Sequence, residues 1–273
     1  GRAARSGAAM TAAALPDHPA LDTALAAARE AGGVLVKLRQ GQERLAPRSK
    51  RAGDFVSEAD LRAEALLRAR LCGPQDHWLG EETGTPPQDA SNVWIVDPLD
   101  GTTNYLRGIG HWAVSIALEV KGSRTLGVIY DPLRDEIFAA IKGQGAWLNG
   151  APMRVADTDN LSAALFGTGI PFGSMDHIDD HAADIARLAP HCAGVRRMGA
   201  AALDLAYVAC GRLDGFWERR LQPWDIAAGL VLLREAGAEV NGLTPGLPPE
   251  ISGTVLTATP SVFAQFAQVL RAA

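Results

Sequence analysis

The segment Trp94-Ile95-Val96-Asp97-Pro98-Leu99-Asp100-Gly101-Thr102-Thr103-Asn104-Tyr105 constrains this chain more than any other. Its apolar start reads as a short buried strand over 92–97. Pro98 keeps Leu99 and Asp100 from continuing the strand, Gly101 permits a tight turn, and Thr102-Thr103-Asn104 starts a helix. Two carboxylates three residues apart therefore converge where a strand passes into a helix. The N–H groups of Gly101 and Thr102 point outward there, at the positive end of a helix dipole, and this makes a phosphate site beside an acidic site for a hard cation. Taken alone, the pair is more simply a strand end and a helix N-cap.

Other carboxylates accompany it. Glu81 and Glu82 precede a proline-rich loop at 83–92, where a solvated acidic turn is the ordinary explanation. Asp225 follows Trp224 at the opening of a helix over 224–236 and reads as its N-cap. Glu218 ends a short strand over 215–218. Asp60 closes a capping box, Ser57-Glu58-Ala59-Asp60, ahead of a helix over 61–71. Each is unremarkable singly. Jointly they are an oxygen-only donor set without His or Cys, which selects Mg²⁺ over zinc.

The joint pattern resembles the inositol monophosphatase family of magnesium-dependent, lithium-sensitive phosphatases, from about Leu21 to the C-terminus. Two long motifs carry the resemblance, WIVDPLDGTTNYLR at 94–107 and WDIAAGLVLLREAGA at 224–238. The segments DFVSEAD at 54–60, GEE at 80–82 and RRMGAAALDLA at 196–206 fall in the family's order and spacing. The resemblance implies a layered αβαβα sandwich, an α/β fold of the inositol monophosphatase and fructose-1,6-bisphosphatase type. It also implies two or three Mg²⁺ per site. By position, Glu81, Asp97, the Leu99 carbonyl, Asp100 and Asp225 match the metal ligands. Thr102 with Glu81 matches the pair holding the attacking water, and Asp60 the residue orienting that hydroxyl. Gly101, Thr102, Thr103, Asp100 and Asp225 match phosphate or substrate contacts, and Ala201 and Glu218 match contacts to substrate hydroxyls. The family often carries a lysine in the loop before DFVSEAD; here Arg48, Lys50 and Arg51 are candidates and Lys50 is favoured.

The implied activity is Mg²⁺-dependent hydrolysis of a phosphate monoester, foremost myo-inositol 1-phosphate. Relatives acting on 3′-phosphoadenosine 5′-phosphate, histidinol phosphate or fructose 1,6-bisphosphate share the metal core and tend to differ just after DGT, where this chain has Thr103-Asn104-Tyr105. A binding or regulatory protein that kept the fold and lost catalysis is the alternative of another class. A homodimer is expected.

The remaining sequence bounds this reading. With 273 residues, 47% of them apolar, the chain is long enough for one large domain or two small ones and too apolar for disorder. A net charge of −5 argues against a nucleic-acid partner, but a metal can supply local positive charge for a phosphorylated substrate. The sequence contains no apolar stretch of membrane-spanning length, so a cytoplasmic location with no membrane partner is expected. Cys72, Cys192 and Cys210 read as reduced buried thiols. Residues 1–16, Ala-rich with Arg2 and Arg5, are expected to be a disordered or vector-derived tail, with Met10 as an alternative start. Residues 17–155 form an α+β half with most metal ligands, and 156–273 an α/β half supplying Asp225 and substrate contacts, in one catalytic unit. Helical spacing predicts a first helix over 16–40, and β-rich runs ending at the Asn149-Gly150 turn predict an antiparallel meander. His177 and His181, four apart, have the histidine spacing of a zinc protease, but Ile178 stands where its glutamate belongs. A polar, solvated helix over 176–188 is the expectation.

Overall fold

The computed structural model describes residues 15–41, 48–51, 54–56, 58–87, 89–170, 172 and 175–271. Up to residue 14, the expected tail lies outside them, and so does Ser57 of the expected capping box. In chain order come α1 (Pro19–Gln40), β1 (Arg48–Arg51), β2 (Asp54–Val56), α2 (Glu58–Leu71), β3 (His77–Gly80), β4 (Asn92–Asp100), α3 (Thr102–Arg107), β5 (Ala113–Val120), β6 (Ser123–Asp131), β7 (Glu136–Ile141), β8 (Gly145–Leu148) and β9 (Ala151–Pro152). They continue with β10 (Leu165–Thr168), α4 (Ile178–Leu188), β11 (Gly194–Arg196), α5 (Ala201–Ala209), β12 (Gly215–Glu218), α6 (Pro223–Glu235), β13 (Glu239–Asn241), α7 (Pro249–Ser252), β14 (Val255–Ala258) and α8 (Pro260–Arg271).

The predicted meander is there: β4 to β9 pair antiparallel in sequence order, and β3 adds in parallel beside β4 to give seven strands. Leu148 pairs with Ala151 across a two-residue turn in which Asn149 and Gly150 both have positive φ, the hairpin geometry that matches strand twist. A second sheet of five strands runs in the order β11-β10-β12-β14-β13.

Three buried clusters show how the layers stack. In the first, α1 and α2 cover one face of the seven-stranded sheet; α1 presents Leu21, Ala24, Ala28, Ala31 and Leu35 at helical spacing. In the second, α5 and α6 fill the space between the two sheets. In the third, α8 closes the outer face of the five-stranded sheet, with α4 packed beside it. The order is α, β, α, β, α, as the resemblance implied. Being sandwiched explains why α6 buries eight consecutive residues, Ile226 to Leu233, where a surface helix would bury one stripe. The approach is close: a Cβ at Gly127 of β6 would lie 2.5 Å from the Ala228 carbonyl oxygen.

Two local expectations are corrected. Strand β4 does not stop at Asp97 but runs on through Pro98 to Asp100. It accommodates the proline with a bulge, three residue steps from Asp97 to Asp100 facing two from Ser115 to Ala113. The helix over 176–188 is not simply solvated, because His181 and Asp184 are buried and Asp184 accepts from Arg187 and Arg219. The three cysteines are free and half-buried.

Candidate active site

The bulge of β4 turns its two aspartates into one buried region. The Leu99 N–H donates to Asp97 Oδ1 at 2.9 Å, closing a tight loop over Pro98. Gly101 caps α3 in the left-handed region at φ +88°, and a Cβ there would meet the His111 carbonyl oxygen at 3.0 Å and the Ala200 Cβ at 3.1 Å. Glycine is required on both counts. The Thr102 hydroxyl lies 3.1 Å from both Asp60 Oδ1 and the Leu99 carbonyl oxygen, so one proton is offered between two acceptors. Thr103, next on α3, is exposed.

The second half of the chain meets this region from between the sheets. The Ala202 N–H, in the first turn of α5, donates to Asp100 Oδ2 at 2.7 Å. Ala201 opens that helix, and its backbone also acts on the Asp100 carboxylate. Asp225 is not the N-cap of α6. It is the third helical residue, and its Oδ2 accepts from the N–H of the cap, Gln222, at 2.7 Å. Glu218 is buried at the end of β12 against the Gly169 backbone, where a Cβ would come within 2.1 Å of its carboxylate.

Electrostatically the acids form one group. Burial, then Glu81, Asp100 and Asp225, push the Asp97 carboxyl well above the usual range. Asp100 rises to about 7, through burial first and then Asp204 and Glu81, against the stabilising α5 amides. Burial and Asp100 lift Asp225 to about 7. Glu218 is raised well above its ordinary value by burial, with Asp225, Asp204 and Asp100 adding to it and Arg197 opposing. Acids held this unfavourably are a site short of positive charge, and their hard oxygen donors fit Mg²⁺.

Among the described residues, the tightest acidic trio is Asp60, Glu81 and Glu82, whose ligand atoms lie within 4.8 Å of one another. Sequence reasoning gives Glu82 no role of its own, since it differs from Glu81 in nothing local. It also misses buried Asp204, bonded to His111 at 3.0 Å, and buried Glu64. Glu64 follows Asp60 by one helical turn, which is the signal that could have found it. Lys50 falls in β1, but its side chain lies outside the described residues.

Both the sandwich and the clustered carboxylates point to one class, the phosphatases that work through oxygen-bound metal ions. The chain belongs to the inositol monophosphatase family, whose model matches residues 17–272. It is 42% identical to the Nus factor SuhB of Salmonella typhimurium over 248 residues, 90% of this chain and 93% of the relative. In structure it resembles the suhB extragenic suppressor protein of Bartonella henselae, with TM-score 0.89 and 37% identity over 93% of this chain and 99% of that one. It also resembles the inositol monophosphatase of Anabaena, with TM-score 0.79 and 38% identity over 92% and 94%.

Proposed function

We propose that this protein hydrolyses phosphate monoesters with Mg²⁺, myo-inositol 1-phosphate foremost. The observation that carries the reading is the convergence of buried Asp97 and Asp100 with half-buried Asp225, each carboxyl holding its proton more tightly through loss of water and through neighbouring acids. Glu81, Asp97, the Leu99 carbonyl, Asp100 and Asp225 are the residues that would hold the metal. Bound Mg²⁺ would offset the anionic repulsion that makes phosphate esters slow to hydrolyse, lower the pKa of a water and stabilise the leaving alkoxide.

The chain's own groups position the reactants. The Thr102 hydroxyl, held by Asp60, orients the attacking water together with the Glu81 carboxylate. The Gly101 and Thr102 amides, with Thr103 at the rim, receive phosphate oxygens, and Lys50, which lies in strand β1 rather than in the expected loop, serves as the basic residue. Glu218 and Ala201 meet ring hydroxyls, which orients the ester for in-line attack. The unit comprises both halves, 17–155 and 156–273, and works as a cytoplasmic, lithium-sensitive homodimer. Sedimentation and inhibition by millimolar lithium check the last two.

A second reading, a binding or regulatory protein on the same fold, is favoured by the name Nus factor carried by the Salmonella typhimurium relative. Phosphate release from a panel of esters separates the two. Catalysis requires metal-dependent turnover, with the highest kcat/KM for inositol 1-phosphate. A nucleotide, histidinol or sugar bisphosphate at the top of the panel would replace the substrate, and no release from any ester would leave the binding reading.

A further inference from the structure

Four hydrogen bonds among those that pin the turn carrying Glu81 and Glu82 come from its backbone and from one side chain. The Gly80 N–H donates to the Thr83 carbonyl at 2.9 Å and the Glu81 N–H to the Val96 carbonyl of β4 at 3.2 Å. The other two are accepted by one side chain. Glu64 Oε2 accepts from the Glu82 N–H at 3.0 Å, and Glu64 Oε1 accepts from the Thr83 hydroxyl. Glu64 is 3% exposed. The turn is pressed onto it, since a Cβ at Gly80 would lie 2.8 Å from Glu64 Oε2 and 2.5 Å from Trp78 Nε1. Both Glu64 oxygens face donors of the turn, so this carboxylate is engaged as an acceptor for the turn rather than offered to a cation. Asp60, one turn earlier on α2, grips Thr102. A single helix therefore holds both the turn after β3 and the start of α3, just after β4.

We propose that Glu64 is a positioning residue: it fixes the Gly80–Thr83 turn so that the Glu81 and Glu82 carboxylates stay beside Asp60. The inference rests on the metal-site reading given above. Without Glu64 the turn keeps its ties to β4 and to itself but loses those of the Glu82 N–H and the Thr83 hydroxyl. The carboxylates then sample orientations in which they do not face a shared ion, and metal affinity falls before substrate affinity does. The shape of the acceptor matters here more than its charge. A glutamine has the same outline, its oxygen accepts from the Glu82 N–H, and its amide donates to a Thr83 hydroxyl that turns from donor to acceptor.

Three variants of the full chain test this: Glu64→Ala, Glu64→Gln and Thr83→Val. Mg²⁺ binding is measured by calorimetry without substrate, and the Mg²⁺ midpoint, kcat and KM with inositol 1-phosphate. Glu64→Ala is expected to weaken Mg²⁺ binding at least tenfold and to lower kcat, with KM changing less than threefold. Glu64→Gln is expected to stay within threefold of wild type throughout, and Thr83→Val to fall between. A folded Glu64→Ala with wild-type Mg²⁺ binding overturns the inference, as does a Glu64→Gln as impaired as the alanine, which would make the charge the operative property. If Glu64→Ala does not fold, Thr83→Val decides: a Mg²⁺ midpoint equal to wild type overturns the proposal. Wild type that neither binds Mg²⁺ nor turns over would instead defeat the metal-site reading itself.

Discussion

Asp97 is tied to its own loop by the Leu99 amide and pressed from three sides by other acids, and these two facts pull in opposite directions. Like charges at contact distance repel by about 1–4 kcal/mol per pair at effective dielectric constants of about 80–20. A carboxyl whose folded pKa is raised binds its proton more tightly in the native state. Its contribution is therefore most favourable at low pH, and stability is lost as pH rises through the folded value. For Asp100 and Asp225 that loss runs from about pH 4 to a little above 7. Asp97→Asn keeps an oxygen for the Leu99 N–H and removes the charge. In chelator at pH 7 it is expected to melt higher than wild type, with the gain shrinking at pH 4.5; an apo mutant melting well below wild type would show that the hydrogen bond outweighs the repulsion. Glu81→Gln should keep the fold and lose at least a thousandfold in kcat/KM, several kcal/mol of transition-state stabilisation, as read by phosphate release. Glu218→Ala should reorder substrate preference while leaving the Mg²⁺ midpoint within tenfold, because a site built to bond a hydroxyl loses discrimination when its partner goes. Steady-state kinetics on the ester panel check both.

At the scale of elements, the passage from β4 into α3 is legible in the sequence because its determinants are local: apolar residues, proline, a glycine, then threonines. The exception, a strand expected to end at Asp97, traces to the bulge, which depends on register against β5 and has no local mark. Likewise Asp225 reads as a cap in the sequence because the true cap, Gln222, is a weaker capping residue type. The short strands β3, β11 and β13 leave no readable signal, since three or four residues show too little alternation and are strands by virtue of their neighbours. Glu64, Glu82 and Asp204 are hidden for a related reason: their importance lies in burial and partners from other elements. The Asp97 and Asp100 motif announces itself, whereas what holds it in place does not. Gly101 tests how much the junction itself demands. Gly101→Ala forces a left-handed residue and crowds His111 and Ala200, so it should cost about 2–4 kcal/mol in urea unfolding and reduce activity together with stability.

For the whole molecule, the site is a seam. Asp60, Glu81, Asp97 and Asp100 come from elements on or against the seven-stranded sheet, and Ala202, Glu218 and Asp225 from the layers that close over it. A ligand held across a seam stabilises the assembled fold by mass action. Mg²⁺ at about a hundred times its dissociation constant should add about 2.7 kcal/mol, or about 5–10 °C in Tm. Differential scanning fluorimetry in chelator and in Mg²⁺ measures it, and an unchanged Tm would mean that the acids do not share a cation. The buried middle layer has a further consequence, for synthesis on the ribosome. The seven-stranded sheet is complete at Pro152, but α6, which covers its second face, ends at Glu235. The intervening stretch of about eighty residues takes about 4–16 s to emerge at about 5–20 residues per second. For that interval the finished sheet presents Val93, Ile95, Ile129 and Phe138 to the cell, with α5 alone made towards its end and α6, the rest of their cover, still to come. The layer order that dries the site thus sets a period of exposure in which the nascent chain depends on its own later sequence, or on a chaperone, to stay soluble.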